Sequence, residues 1–155
     1  MDLVLWRHAE AHEAAEGEDD LERTLSKRGE KQALRMAQWL DRQLPEVTRI
    51  ISSPARRTEQ TVLALGRKYK LRSELAPGGD VDELLALARW PDGKSVVLVV
   101  GHQPVLGQTI ARLLGLAESD CAVRKGAVWW LRSRQRGEPG RLETVVLTVQ
   151  SPEAL

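Results

Sequence analysis

Leu3-Val4-Leu5-Trp6-Arg7-His8-Ala9 is the stretch that decides the fold. Its apolar run is short and bounded by polar residues, so it reads as a buried strand that ends in a histidine. A second run, Ser95-Val96-Val97-Leu98-Val99-Val100-Gly101, is rich in β-branched residues and delivers His102 in the same manner. In open α/β sheets, ligands bind just beyond the carboxyl ends of the strands. Two of the chain's three histidines then meet in one crevice, with Arg7 beside the first.

A third strand end completes the pattern. Arg49-Ile50-Ile51-Ser52-Ser53-Pro54 stops at a proline, and the helix that follows carries Arg56 and Arg57 in its first turn. Helix N-termini attract anions through free N–H groups and the dipole, and arginine adds a planar fork matched to phosphate oxygens. Two imidazoles and at least two guanidiniums, with no acidic cluster beside them, predict a phosphate site.

The rest of the chain bounds this reading. At 155 residues and 42% hydrophobic content, residues 1–155 are expected to form a single domain without a large cap insertion. The formal net charge is +1 with both signs interspersed, so a nucleic-acid-binding stripe is not expected. A lone Cys121 leaves no intrachain disulfide and fits a reducing compartment. Only a few apolar residues stand before Arg7, which argues against a signal peptide or membrane span and for a cytoplasmic protein. Histidines at 8, 12 and 102, without an H-E-x-x-H pattern, make a poor metal-ligand set, so no metal and no cofactor are expected.

Strand and helix patterns alternate along the chain. Thr24 or Ser26 can cap a helix from about Lys27 to Leu44, with Ala33, Ala37, Leu40 and Leu44 on one face. The helix after Pro54 is read as continuing to about Tyr69, and Leu71-Arg72-Ser73-Glu74-Leu75 as a short extended piece. A turn at Pro77-Gly78-Gly79 precedes a helix with Val81, Leu84, Leu85 and Ala88 at helical spacing. Pro104 suits the first turn of another helix, which Gly115 ends. Ala127 to Leu131 and Leu142 to Val149 read as a hairpin across residues 132–140. The predicted class is α/β, a three-layer sandwich: a mostly parallel central sheet, helices on both faces and an antiparallel edge.

Four segments together, LVLWRHAEA, RTLSKRGEKQA, SSPARRTEQT and VVLVVGHQP, resemble the histidine phosphatase superfamily, and within it the small SixA-type phosphohistidine phosphatases. The resemblance implies a phosphoglycerate-mutase-like fold. It places the nucleophile on His8, its arginine partner on Arg7 and the second histidine on His102. The family frame Ser-x-x-x-Arg-x-x-x-Thr runs Ser53, Arg57, Thr61, which selects Arg57 over Arg56 as phosphate ligand. Arg7, Arg57 and a protonated His102 would then donate to the phosphoryl oxygens.

Two positions depart from the pattern. Ala9 replaces the usual glycine, which would cost roughly 1 kcal/mol if the backbone there needs positive φ. Gln103 follows His102 where many members carry an acid, so Asp80, Asp82 and Glu83 become the nearest candidate proton donors, Asp80 and Glu83 foremost.

The implied activity is a metal-independent phosphatase with a phosphohistidine intermediate, acting on phosphohistidine of a signalling or phosphotransfer protein. A small-molecule phosphomonoesterase is the alternative, and a non-catalytic phosphate-binding domain stands third. A monomer is favoured.

Other residues take plainer readings. His12 is read as lying in a solvated loop; the acidic run Glu13, Glu16, Glu18, Asp19 and Asp20 could shape the rim of the pocket or be exposed charge, the second being favoured, and Arg56 is read as facing solvent. Trp6 alternates with Arg7 and should face the layer between sheet and helix, and Cys121 is read as a small buried hydrophobe.

Overall fold

Strands buried on both faces belong at the centre of a parallel sheet, and β1 (Asp2–Arg7) and β4 (Val96–Gly101) are such strands, with Leu3 to Trp6 and Val97 to Val100 almost fully buried. They pair in parallel from Leu3↔Val97 to Arg7↔Gly101, so His8 and His102 leave the sheet side by side. The computed structural model describes residues 1–137 and 140–155. The remaining elements are α1 (Lys27–Gln43), β2 (Thr48–Ser52), α2 (Arg56–Leu63), β3 (Lys70–Leu71), α3 (Val81–Ala88), α4 (Val105–Leu114), β5 (Val128–Arg136) and β6 (Arg141–Gln150). The six-stranded sheet has the order β3-β2-β4-β1-β5-β6. The first four of these are parallel, and β5 and β6 add the expected antiparallel edge.

Alternation along the strands divides the core in two. Leu3, Leu5, Ile51, Val97 and Val99 pack with Leu84 and Ala88 of α3 and with Leu106 and Ile110 of α4. Val4, Trp6, Ile50, Leu98 and Val100 pack on the other face with Met36, Ala37 and Leu40 of α1 and Val62 of α2. Helices therefore cover both faces, as the sequence pattern requires. Trp6 lies in the α1 layer, and its indole Nε1 donates to the Gly126 carbonyl at 3.0 Å.

Helix ends follow local chemistry. Ser26 caps α1 by accepting from the Gly29 N–H, and Gly115 ends α4 at φ 65°. Gly29 has a second role: a Cβ there would collide with the Glu10 carbonyl, so glycine lets α1 abut the main chain just past His8.

Two predicted elements are corrected. The second helix stops at Leu63, not Tyr69: Gly66 turns the chain at φ 72°, and Arg67 reaches back to the Asp41 carboxylate at 2.9 Å and the Pro45 carbonyl at 2.7 Å. The piece after Tyr69 is extended only at Lys70–Leu71 and then forms a 3-10 turn at Ser73–Leu75. The C-terminal hairpin is longer than expected and carries an irregularity between Trp130 and Leu131. Glu138 and Pro139 of its connection lie outside the described residues. Among the described residues no helix is long and apolar enough to cross a membrane.

Candidate active site

The main chain past β1 is pinned on both sides. Arg7 N–H donates to the Ala127 carbonyl at 3.0 Å, His8 N–H to the Gly101 carbonyl at 3.1 Å, and Gly126 N–H to the His8 carbonyl at 2.9 Å. Ala9 N–H donates to Thr61 Oγ1 at 3.2 Å, and that hydroxyl donates to the Arg57 carbonyl at 2.7 Å. The first strand end and the start of α2 are thereby one unit. Ala9 is fully buried and is not among the positive-φ residues, so the strain expected from replacing glycine is not present.

The two imidazoles face each other at 5.3 Å between ring centroids. His8 Nδ1 lies 2.7 Å from the Ala9 carbonyl oxygen. A carbonyl can only accept, so Nδ1 carries the proton and Nε2 keeps its lone pair. His102 Nε2 lies 2.8 Å from Ser53 Oγ, which also accepts from Ala55 N–H at 3.2 Å.

Burial pushes the His8 ring down to about 4; its bond to Ala9 opposes this, and the cations of Arg57, Arg7 and Arg23 add to it. Burial also pushes His102 down to about 3, reinforced by His8, Arg57, Arg7 and Arg23. The protein's own groups thus keep both rings neutral near pH 7. Without a bound anion, burial first and then the second ring and three guanidiniums disfavour a positive charge at His102, so the protonated form expected as a phosphoryl donor would arise only with an anion bound.

The arginines are unusual in what they leave unmade. The Nε groups of Arg7, Arg23 and Arg57 are buried without a hydrogen-bond partner. A buried N–H left unpaired costs about 1–3 kcal/mol; Arg23 Nε has an ion-pair partner in Asp20 at 3.5 Å, whereas Arg7 and Arg57 Nε have none, and such donors near two imidazoles suit a tetrahedral oxyanion. Arg7 and Arg57 are anchored through terminal nitrogens. Arg7 Nη1 donates to the Val123 carbonyl at 2.7 Å, and Arg57 donates through Nη1 to the Asp20 carbonyl at 2.8 Å and through Nη2 to Asp20 Oδ2 at 3.1 Å. Arg57 is 4% exposed, whereas Arg56 faces solvent and pairs with Glu22 at 3.5 Å.

Sequence reasoning missed Arg23; the acidic loop is exposed as expected, and at Asp20 the rim reading also holds. Arg23 stands three residues before the cap of α1, inside the RTLSKRG segment, where its position was the only signal. Asp20 bridges Arg57 and Arg23, the latter at 3.5 Å. The carboxylate is held on the rim by the cations it helps to fix.

His12 is exposed as expected, while Cys121 is half-buried and packs against the margin of the core. Gln103 is occupied at both ends: its Oε1 accepts from Gly107 N–H at 2.7 Å and its Nε2 donates to the Cys121 carbonyl at 2.9 Å. Asp80 caps α3 by accepting from Glu83 N–H at 2.9 Å, and both residues are exposed. Among the described residues no hydrogen bond joins Asp80 or Glu83 to the histidines or arginines of the site. Among those same residues no group of three or more His, Cys, Asp and Glu side chains is arranged to hold a metal ion.

Residues 3–78 match the histidine phosphatase superfamily (branch 1). The phosphohistidine phosphatase SixA of Escherichia coli is 35% identical over 121 residues, which are 73% of this chain and 74% of that protein. The chain belongs to the histidine phosphatase superfamily. Its relatives include SixA proteins, and the chain is a phosphatase of the histidine phosphatase superfamily. The solved structure of the protein histidine phosphatase SixA complexed with tungstate superimposes with a TM-score of 0.80 at 27% identity, covering 99% of each chain. A SixA from Agrobacterium tumefaciens, described as a putative phosphohistidine phosphatase, gives 0.80 at 25% identity over 97% of each chain. The sandwich is that of the phosphoglycerate-mutase-like histidine phosphatases.

Proposed function

We propose that this phosphatase removes the phosphoryl group from phosphohistidine on a partner protein, through a phosphohistidine formed on its own His8. One observation carries the reading: His8 Nδ1 is tied to the Ala9 carbonyl, which leaves Nε2 as the nucleophile beside the buried Arg57 and the half-buried Arg7 and Arg23. Phosphoryl transfer needs in-line positioning and donors around the equatorial oxygens more than covalent chemistry from the protein. Nε2 of His8 forms the new P–N bond while the P–N bond of the substrate breaks. A water then attacks the phosphorus, releases inorganic phosphate and restores His8.

The substrate class follows from the leaving group. An imidazole departs neutral when its other nitrogen is protonated, so it demands less of an acid than an alkoxide does. That suits a chain in which Gln103 follows His102 and is occupied by structural bonds. For slower leaving groups, Asp80 and Glu83 at the start of α3 remain the proposed proton donors. The name of the Escherichia coli relative and the tungstate held by the SixA structure favour the same chemistry, since tungstate is a tetrahedral oxyanion. Arg7, Arg57, Arg23 and His102 supply the donors, and no metal or cofactor enters the proposed mechanism.

The deciding experiment compares kcat/KM on a histidine-phosphorylated phosphotransfer domain with that on sugar phosphates, phosphoglycerates and nucleotides. A higher value for any small ester would replace this reading with a small-molecule phosphomonoesterase on the same scaffold. In parallel, brief labelling from a phosphorylated substrate should give an acid-labile, base-stable phosphoenzyme that is lost in His8→Ala. Label that persists in the variant removes His8 from its role. Activity should also survive exhaustive chelation.

A further inference from the structure

The outer flank of β2 holds a second concentration of charge that the catalytic site does not use. β4 pairs with β2 along Thr48 to Ser52, but β3 pairs only with Ile51 and Ser52 on the other side. Opposite Thr48, Arg49 and Ile50 no strand is paired among the described residues, and the sheet edge is open there. An open edge presents unpaired N–H and C=O groups and accepts an added strand unless something covers it.

What stands around this edge is cationic. A groove of about 620 Å3 along it is lined by Arg49, Arg67, Lys68, Lys70, Arg72 and Arg89, in a chain whose whole formal charge is +1. Arg67 and Arg72 have carboxylate partners, Asp41 at 2.9 Å and Glu74 at 3.1 Å. Lys68, Lys70 and Arg89 are exposed and form no ion pair among the described residues. Arg49 is anchored on the Leu87 carbonyl, and Arg89 and Arg72 both act on it as like charges. Arg89 occupies the left-handed region at φ 59°, which is disfavoured for a side-chain-bearing residue. Like charges gathered on one edge repel unless an anion joins them, and lysines on an edge also discourage neutral strands from pairing.

We propose that this edge docks an extended acidic segment of the partner protein by strand addition, with main-chain hydrogen bonds to Thr48–Ile50 and carboxylates against Lys68, Lys70 and Arg89. Main-chain pairing supplies affinity, and charge selects an acidic strand over others. β2 continues from this edge to Ser52 and Ser53 beside His102, so a docked segment lies on the flank of the strand that leads to the site. The proposal rests on the reading that the substrate is a protein, so its binding test is kept separate from turnover.

The probe is a fluorescent peptide of alternating Glu and Val, measured by anisotropy with the full chain. Binding should weaken at least tenfold in a Lys68→Glu, Lys70→Glu, Arg89→Glu triple variant and fall steeply with salt. A peptide of the same charge with proline at alternate positions should bind at least fivefold more weakly, because it cannot complete a ladder. Equal binding of the proline peptide overturns strand addition, and equal binding by the triple variant overturns the site. Tripolyphosphate or a nucleotide that binds this edge more tightly than the peptide would assign it to a small polyanion and overturn the proposal. The triple variant should lose at least fivefold in kcat/KM on a phosphohistidine protein through KM while its rate on p-nitrophenyl phosphate is unchanged. Peptide binding that holds while no phosphohistidine protein is turned over would count against the substrate reading and leave the docking edge standing.

Discussion

The cations around the two histidines and those along the open edge of β2 sit in opposite settings. Arg57 is 4% exposed and Arg7 and Arg23 each bury their Nε, whereas Lys68, Lys70 and Arg89 stand in solvent. In a desolvated pocket a charge acts at full strength and its loss is not compensated by water; at the surface it is screened by salt within about 10 Å. One cluster is therefore suited to chemistry at a fixed point and the other to weak, long-range selection of a partner. Arg56 and Arg57 compress the same contrast into adjacent residues, since one helix turn sends one outward to Glu22 and the other inward to the site.

The largest break in the comparison is expected there. Arg57→Ala should lower kcat/KM by about 10²–10³, the usual cost of removing one preorganised donor to developing charge. Arg56→Ala should change it by about twofold or less, because exposed ion pairs contribute only ~0.2–1 kcal/mol. Steady-state kinetics on both variants decide the matter: a larger loss at Arg56 would place the wrong residue in the pocket.

Arg23 comes next. It lies at the margin of the buried group, with an ion pair to Asp20 at 3.5 Å and a buried Nε. Arg23→Ala is expected to cost about 10- to 100-fold in kcat/KM, less than Arg57, since part of its charge is already offset by Asp20. A change below threefold would show that Arg23 shapes the loop and does not hold phosphate.

These two arginines also show what could be read from the chain. Arg57 was legible because strand, proline and helix start are local signals with fixed spacing, and His8 and His102 because their strands are apolar runs that pair at the sheet centre. Arg23 was not. It arrives through a loop whose residues 11–20 have neither apolar periodicity nor turn punctuation strong enough to set a path, and long-range bonds bring it in: Arg57 to Asp20, His12 N–H to the Thr24 carbonyl and Leu25 N–H to Gln60. The end of α2 was lost for a similar reason: helical spacing continues past Leu63, while the tertiary bonds of Arg67 to Asp41 and Pro45 turn the chain away. The protonation of His102 could not be read at all, because it depends on burial and on three cations from separate segments.

That protonation gives the third test. With pKa values of about 4 and 3, His8 and His102 bind no proton near pH 7, while the unfolded rings would titrate near 6.5. Because the folded values are depressed, their stabilising contribution is present above pH 6.5 and is lost as pH falls from there toward about 4 for His8 and about 3 for His102. A bound dianion reverses the local field and raises His102. Tungstate binding near pH 7 should then take up close to one proton, making its affinity fall by up to about tenfold per pH unit on going alkaline. Calorimetry in two buffers of different ionisation enthalpy measures the uptake, and none at all would mean that the guanidiniums alone carry the charge.

The smallest effect is expected at Asp20, where the buried cluster meets solvent: its side chain is 54% exposed against 5% for its partner Arg57. The carboxylate neutralises cations that the phosphoryl group also uses, so charge competition predicts that its removal tightens anion binding. Opposing this, the same residue fixes Arg57 through its main-chain carbonyl at 2.8 Å. Asp20→Asn separates the two, because it leaves the main-chain contact and the size of the side chain unchanged while removing its charge. Screening limits the gain to that of an exposed pair, about two- to fivefold in the inhibition constant for vanadate, and it should shrink in high salt. Tighter inhibition with kcat within twofold of the unmodified protein would establish Asp20 as a competing anion at the rim. Weaker inhibition would mean that its charge is needed to aim Arg57, and that the exposed and buried halves of the arginine contrast are coupled through this one carboxylate.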